Sequence, residues 1–301
     1  MRPTRVLLMV STAAGALSVV TALTSAERAA MQYGLAASAA LIGYVLLAGP
    51  ALPRVRPALA AGIALFAAPM TVELWWFPER PADVRWFTPF YAPLGGGLPP
   101  TGQVQIPATL LDQWRLLIDQ ERLRAFALLL GVLCLAVAVV VLPVRQRPKA
   151  TRLAGVVAVL LLAVVGANAW SRIDDAPPLG LLEAVWPALL ATLLAAGVVA
   201  LSGARADRAA LVPLGALLVA VTVAVTADDL ASSWFTWWTF SNRSDHSTQS
   251  GTVVTSAVGT VASSTAGSAD VSAAVRAAVA LAGPALLTVG ALAASREAAT
   301  A

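Results

Sequence analysis

Cysteine and histidine are almost absent from this 301-residue chain, which has only Cys134 and His246. A single cysteine excludes an intrachain disulfide framework, a cysteine-based zinc site and an iron–sulfur cluster. A single histidine excludes a two-histidine metal or haem site built from this chain alone. Charge is scarce too. Asp, Glu, Lys and Arg make up 12% of the residues, while 58% are hydrophobic and the mean hydropathy is +0.78. So little polar surface cannot cover a water-soluble fold of this size, and so much apolar character excludes intrinsic disorder. There is no Walker A loop, GxSxG elbow, HExxH pair or GxGxxG in a strand–turn–helix setting, and no soluble domain to host one. The sequence therefore offers no catalytic residue, no metal ligand and no cofactor site.

What it has instead is long apolar runs. A helix needs about 17–25 residues to cross roughly 30 Å of hydrocarbon. Eight runs qualify: Arg5–Thr24, Met31–Gly49, Ala58–Phe77, Leu123–Leu142, Leu153–Trp170, Leu181–Leu201, Ala209–Ala227 and Val271–Ala293. In lipid each must satisfy its own backbone groups, so the expected fold class is an all-α integral membrane protein with eight transmembrane helices. The first run, with Arg2 and Arg5 before it and Thr24-Ser25-Ala26 after it, has the outline of a secretory signal. Its apolar core is longer than the ~7–15 residues of such signals, and it has a counterpart later in the chain, so it is read as a retained helix.

Orientation follows from the basic residues. With a cytoplasmic N-terminus, the inner connections and termini hold Arg2, Arg5, Arg54, Arg56, Arg145, Arg147, Lys149, Arg152, Arg205, Arg208 and Arg296, against the acids Asp207 and Glu297 alone. Both termini are then expected in the cytoplasm, in a plasma membrane. A net charge of +4 and a pI near 10 come from these positions, so no nucleic-acid partner is implied. Lys149 is the only lysine, an arginine bias typical of GC-rich coding that points to a bacterial source.

Most connections run about 6–10 residues, but those after the third and seventh runs reach about 45. Both are external on this topology, and each precedes the last helix of a group of four. Two parallel four-helix repeats are expected, residues 1–149 and 150–301. Local matches occur in the same order: Thr4-Arg5-Val6 with Thr151-Arg152-Leu153, and Arg54/Arg56 with Arg205/Arg208. Thr71-Val72-Glu73 matches Thr226-Ala227-Asp228, Trp-Phe-Thr occurs at 86–88 and 234–236, and Arg124…Gly131 matches Arg276…Gly283.

The long connections concentrate aromatic residues: Trp75, Trp76, Trp86 and Phe87 in the first, Trp234, Phe235, Trp237 and Trp238 in the second. Amphipathic rings gather at headgroup level, so a belt at the outer interface is the plain reading; an aromatic groove for a lipid tail, quinone or sugar is the sharper one. Ala108–Arg122 reads as an amphipathic helix lying on the membrane before the chain turns into the fourth span. The stretch with Gly251, Gly259 and Gly267 reads as a weak helix or a flexible linker. Asn242-Arg243-Ser244 has the form of a glycosylation sequon, without meaning in a bacterium.

Ionisable residues within spans are costly and need a reason. Glu73, Asp228 and Asp229 stand near C-terminal helix ends and Arg124 and Arg276 near N-terminal ones, each disfavoured by the local helix dipole. Pairing Glu73 with Arg124, and Asp228 or Asp229 with Arg276, relieves both. The same acids could instead bind protons or cations. Glu183 also lies near an outer end. Asn168 is read as a helix–helix hydrogen bond, Cys134 as a packing residue, His246 as solvated, and Pro69, Pro187 and Pro284 as local kinks. The functional expectation is a non-enzymatic transporter-like or accessory membrane subunit whose partners are the bilayer and a membrane protein or lipid ligand. The alternative is an enzyme using Asp228, Asp229 and the Trp-rich loops on a lipid-linked substrate at the outer face.

Overall fold

The computed structural model describes residues 3–24, 26–47, 55–76, 108–144, 148–173, 178–205, 210–243 and 271–300. Among them are eight helices and no strand: α1 Pro3–Leu23, α2 Glu27–Leu47, α3 Val55–Trp76, α4 Ala108–Val141, α5 Pro148–Ile173, α6 Pro178–Ala204, α7 Leu211–Arg243 and α8 Val271–Thr300. Each contains a stretch long and apolar enough to cross a membrane, and the chain is a multi-pass membrane protein. Its surface agrees, because large apolar side chains such as Met9, Val20, Val159, Leu160 and Leu193 lie on the outside. Pro69, Pro187 and Pro284 fall inside helices that continue past them.

Two helices are longer than the sequence reading expected. At 1.5 Å per residue, 34 residues in α4 and 33 in α7 extend about 50 Å, some 20 Å more than the hydrocarbon requires. The amphipathic segment Ala108–Arg122 is therefore the first part of α4 and not a separate helix lying on the membrane. It contains no Gly or Pro to break it, and Asp112, Arg115, Asp119 and Arg122 at helical spacing support its continuation. Likewise Trp234–Phe240 belongs to α7 rather than to a loop. We call this end of the bundle, where α4 begins and α7 finishes, the Trp-rich end. The opposite end carries Arg56, Lys149, Arg152, Arg205 and Arg296. Residues 77–107 and 244–270, with Trp86, Phe87, His246 and the glycine-spaced stretch, lie outside the described residues.

Helices α1 and α2 form a hairpin closed by hydroxyls. Ser11 Oγ donates to the Ala37 carbonyl at 2.9 Å and Ser18 Oγ to the Ala30 carbonyl at 2.7 Å, both buried. Interhelical bonds of this type contribute about 0.6 kcal/mol on average in membrane proteins, and up to about 1.7. Replacing both serines by alanine is expected to lower the thermal unfolding midpoint in detergent by a few degrees. Replacing Thr12, whose hydroxyl bonds only to its own helix, should leave it unchanged.

Close helix contacts at glycine occur in the pairs α3–α4 and α7–α8. A Cβ on Gly62 would lie 2.7 Å from Leu135 Cδ2, and one on Gly131 2.7 Å from Phe66 Cδ2. In α7–α8, Gly215 faces the backbone of Leu287, and a Cβ on Gly283 would lie 2.9 Å from the Val219 nitrogen. These contacts correspond. Moving Gly62–Leu135 forward by 153 and 152 residues gives Gly215–Leu287, and moving Phe66–Gly131 by the same steps gives Val219–Gly283. Without a hydrophobic driving force between helices in lipid, such small residues permit the backbone approach that packs them together.

The arginine-rich half of the bundle is filled by one continuous apolar core. Val45, Leu59, Val139, Val199, Val212 and Leu292, from six different helices, are at most 2% exposed. Two buried hydroxyls there turn back on their own helices, Ser202 to the Val199 carbonyl and Ser295 to that of Leu292. Arg205 closes this end by donating from Nε to the Leu142 carbonyl just beyond α4.

Candidate functional site

The Trp-rich half is less completely filled. Helix α6 packs between α5 and α7, which meet each other only lightly, and a crevice of about 510 Å³ remains between them. This volume is within the ~300–1,000 Å³ typical of small-molecule sites. Leu161, Val164 and Val165 line it from α5, Leu182, Val185 and Leu189 from α6, and Val221, Ala224 and Val225 from α7. No aromatic ring is among the described lining residues.

One end of this apolar chamber is polar. Asn168, a turn from the end of α5, donates from Nδ2 to Asp228 Oδ1 on α7 at 2.6 Å. Arg276, near the start of α8, donates from Nη1 to Asp229 at 3.1 Å to Oδ2 and 3.4 Å to Oδ1. Successive helical residues point about 100° apart, which sends Asp228 towards α5 and Asp229 towards α8. The pair is partly wet, with the Arg276 side chain 57% exposed and that of Asp229 32%. At that exposure the ion pair adds at most about 1 kcal/mol to stability, so its value lies in positioning charge.

Among the described residues, the first half of the chain shows no counterpart of this arrangement. The Glu73, Trp75 and Trp76 side chains lie outside the described residues. Arg124 stands 3.8 Å from Glu121 of its own helix. In the register set by the glycine contacts, moreover, Glu73 aligns with Thr226, and the counterpart of Asp229 is Trp76. A Glu73–Arg124 pair would therefore not be the equivalent of Asp229–Arg276. Glu183 is exposed, and its carbonyl accepts from Arg122 Nη2 at 3.4 Å.

The described aromatic residues of α7 pack inward. Trp234 is 6% exposed and belongs to a cluster with Ile118 and Ala125 of α4, Leu181 and Val185 of α6, and Leu230. Trp238, one turn on, stacks on it at 6.3 Å and 14°, with Phe235 tilted against Trp238 at 6.3 Å; Trp237 packs at the margin. Ile118 and Ala125 of α4 are thus joined to the Trp-rich end of α7 and to α6 beside the crevice. Cys134 is half-buried on α4.

The sequence did not reveal the crevice, because a void between helices has no periodicity of its own. The glycine register was more accessible, since Gly62 and Gly215 stand at nearly the same offset as Gly131 and Gly283. Among the described residues no three His, Cys, Asp or Glu side chains come together as a metal site. Comparison with protein-family models, with curated proteins and with solved structures finds no match for this chain.

Proposed function

We propose that the chain is a non-enzymatic accessory protein of a bacterial plasma membrane that holds an amphiphile in the outer leaflet. The carrying observation is the one-sided crevice, with apolar walls and a polar rim in the Trp-rich half and a dry apolar core in the arginine-rich half. The positive-inside rule orients the arginine-rich end to the cytoplasm, so the crevice opens in the outer leaflet and the overhangs of α4 and α7 stand outside. The matching glycine contacts of α3–α4 and α7–α8 support an origin by duplication of a four-helix unit, residues 1–149 and 150–301. The crevice, with its Asn168, Asp228, Asp229 and Arg276 rim, belongs to the second unit.

Two other readings are weaker for physical reasons. An enzyme using Asp228 and Asp229 as an acid–base pair needs both carboxylates on one reacting group, whereas these diverge towards different helices. Transport needs a polar route beyond the crevice, and the core between it and the cytoplasmic end is built mainly of Val, Leu, Ile and Ala, with scattered buried hydroxyls such as Ser202, Thr288 and Ser295.

The test is occupancy of the crevice. Val225→Trp and Ala224→Phe fill it from partly exposed positions on α7. After exhaustive detergent exchange, the wild-type protein should retain about one lipid-like molecule per chain by native mass spectrometry. Both variants should lose it while keeping the wild-type thermal transition. Equal retention by wild type and variants would sink the proposal.

A further inference from the structure

A second lipid-facing surface lies on the other flank of α6, away from the crevice. Helix α6 packs against α4, α5 and α7, and α7 in turn meets α4 closely and α5 lightly, whereas α4 and α5 scarcely touch. The sector of α6 between α4 and α5 is therefore open to lipid. It shows an exposed row at four-residue spacing, Leu193, Gly197 and Leu201, and a Cβ on Gly197 would meet nothing within 4 Å. Trp186, two turns earlier, meets Phe126 of α4 edge to face at 5.2 Å, which sets the row beside α4. Exposed valines of both neighbours, Val137 and Val140 on α4 and Val156 and Val159 on α5, continue the apolar surface.

The row ends in a cationic corner. Arg205, one turn after Leu201, donates from Nε to the Leu142 carbonyl at 3.3 Å and from Nη1 to the Leu201 carbonyl at 3.5 Å. These bonds hold the guanidinium between the ends of α6 and α4 and leave its Nη2 unused. Lys149 and Arg152, in the first turns of α5, are exposed and form no ion pair among the described residues. Gly203 brings them near Arg205, because a Cβ on it would lie 2.7 Å from the Ala150 carbonyl oxygen. The connections flanking the corner hold Arg145, Arg147 and Arg208 against Asp207 alone, so the local balance stays positive. Cations gathered in this way repel, and an anion shared between them removes the cost. Guanidinium N–H groups in a fixed fork are well matched to phosphate oxygens. A free phosphate would use the cations and ignore the row. From Leu193 to Arg205 the row rises about 18 Å, the depth of one leaflet's ~15 Å of hydrocarbon and a little more.

We propose that this corner binds an anionic phospholipid of the leaflet at the arginine-rich end. The phosphate lies among Lys149, Arg152 and Arg205, and one acyl chain runs over Gly197 between α4 and α5. On the orientation proposed above, that leaflet is the cytoplasmic one. The site is independent of the crevice, which lies on the opposite flank of α6 and in the other half of the bundle.

The full-length protein reconstituted in vesicles of equal parts phosphatidylglycerol and phosphatidylcholine, with the same acyl chains, tests this. After re-extraction, retained lipid is quantified by mass spectrometry against the bulk mixture. The anionic lipid should be enriched about tenfold, and Arg152→Gln should lower that ratio about fivefold, as the loss of one cation near a membrane surface implies. Lys149→Gln with Arg152→Gln should bring it near unity, and Gly197→Leu, which fills the open row, should lower retention of the anionic lipid. Arg5→Gln removes an equal charge from an exposed position at the same end and should leave the ratio unchanged. Val225→Trp, in the crevice, should leave it unchanged as well. Equal retention of the two lipids by the wild type overturns the proposal. So does an Arg5→Gln loss as large as that of Arg152→Gln, which would mark a diffuse field rather than a site. Enrichment abolished by Val225→Trp would assign the retained lipid to the crevice, and enrichment stripped by excess inorganic phosphate would assign the corner to a free anion; either outcome also overturns it. The wild-type comparison needs no substitution, so a variant that folds poorly does not remove the test.

Discussion

Replacing Gly215 by leucine should be the most damaging single change among the described residues of the bundle. A Cβ at this position is aimed at the backbone of α8, with Leu287 Cα 2.7 Å away and the Leu287 nitrogen closer still. Backbone atoms of a packed helix cannot rotate aside as a side chain can, so α7 and α8 must separate along the contact that also includes Gly283 and Gly290. Overpacking a core typically costs about 1–3 kcal/mol, and a backbone obstacle places this variant at or beyond the upper end. Gly62→Leu, at the corresponding place in α3–α4, should cost less because its obstacle is the Leu135 side chain, which has other rotamers. Gly155→Ala should be neutral or slightly stabilising: its surroundings are open, and alanine in a helix is favoured over glycine by up to about 1 kcal/mol. Thermal unfolding in detergent, followed by size-exclusion chromatography, orders the three. A Gly215→Leu protein that melts with the wild type would remove the close α7–α8 contact from the account.

Trp234→Ala should have an effect of similar size, at about 3–5 kcal/mol for loss of a buried aromatic side chain. The ring fills the space between α4, α6 and α7. Its removal also leaves Trp238 without its stacking partner. Trp237→Ala, at the margin of the same cluster, should cost clearly less. The contrast separates packing from membrane anchoring. If these rings served only as an interfacial belt, the two substitutions would be equivalent; equal losses in unfolding midpoint would therefore count against the packed overhang.

The two experiments address the parts of the molecule that were least visible in the sequence. The eight spans were legible because apolar length is a one-dimensional property: all eight runs from Arg5–Thr24 to Val271–Ala293 fall largely within helices. Their ends were less legible. Hydropathy falls at Ala227 and rises at Leu123, so it marks where a helix leaves hydrocarbon and not where it stops being a helix. Asp112, Arg115, Asp119 and Arg122 lowered the hydropathy of α4 while supporting its helicity. The aromatic run of α7 was similarly ambiguous, since tryptophan suits both a headgroup belt and a packed core, and only the approach of α4 and α6 determines which. At the rim, the charges of Asp229 and Arg276 suggested a pair, whereas the Asn168–Asp228 bond joins residues 60 positions apart on helices whose neighbourhood no local pattern specifies.

Helix α5 is held unevenly along its length. Its buried residues among those described, Ala154 and Ala158, lie in the arginine-rich half, where Gly203 of α6 allows close approach to Ala150, Thr151 and Ala154. Only 11% of its span is buried, against 56% for α6, and Val164 near its far end is 68% exposed. A rod fixed at its foot turns a slight tilt into a large sweep at its tip. The tip carries Asn168, so the hydrogen bond to Asp228 acts as a latch on that sweep. On the proposed function, a guest would enter sideways from the surrounding lipid without first passing through water, and the rate at which this latch opens would set how long the guest stays.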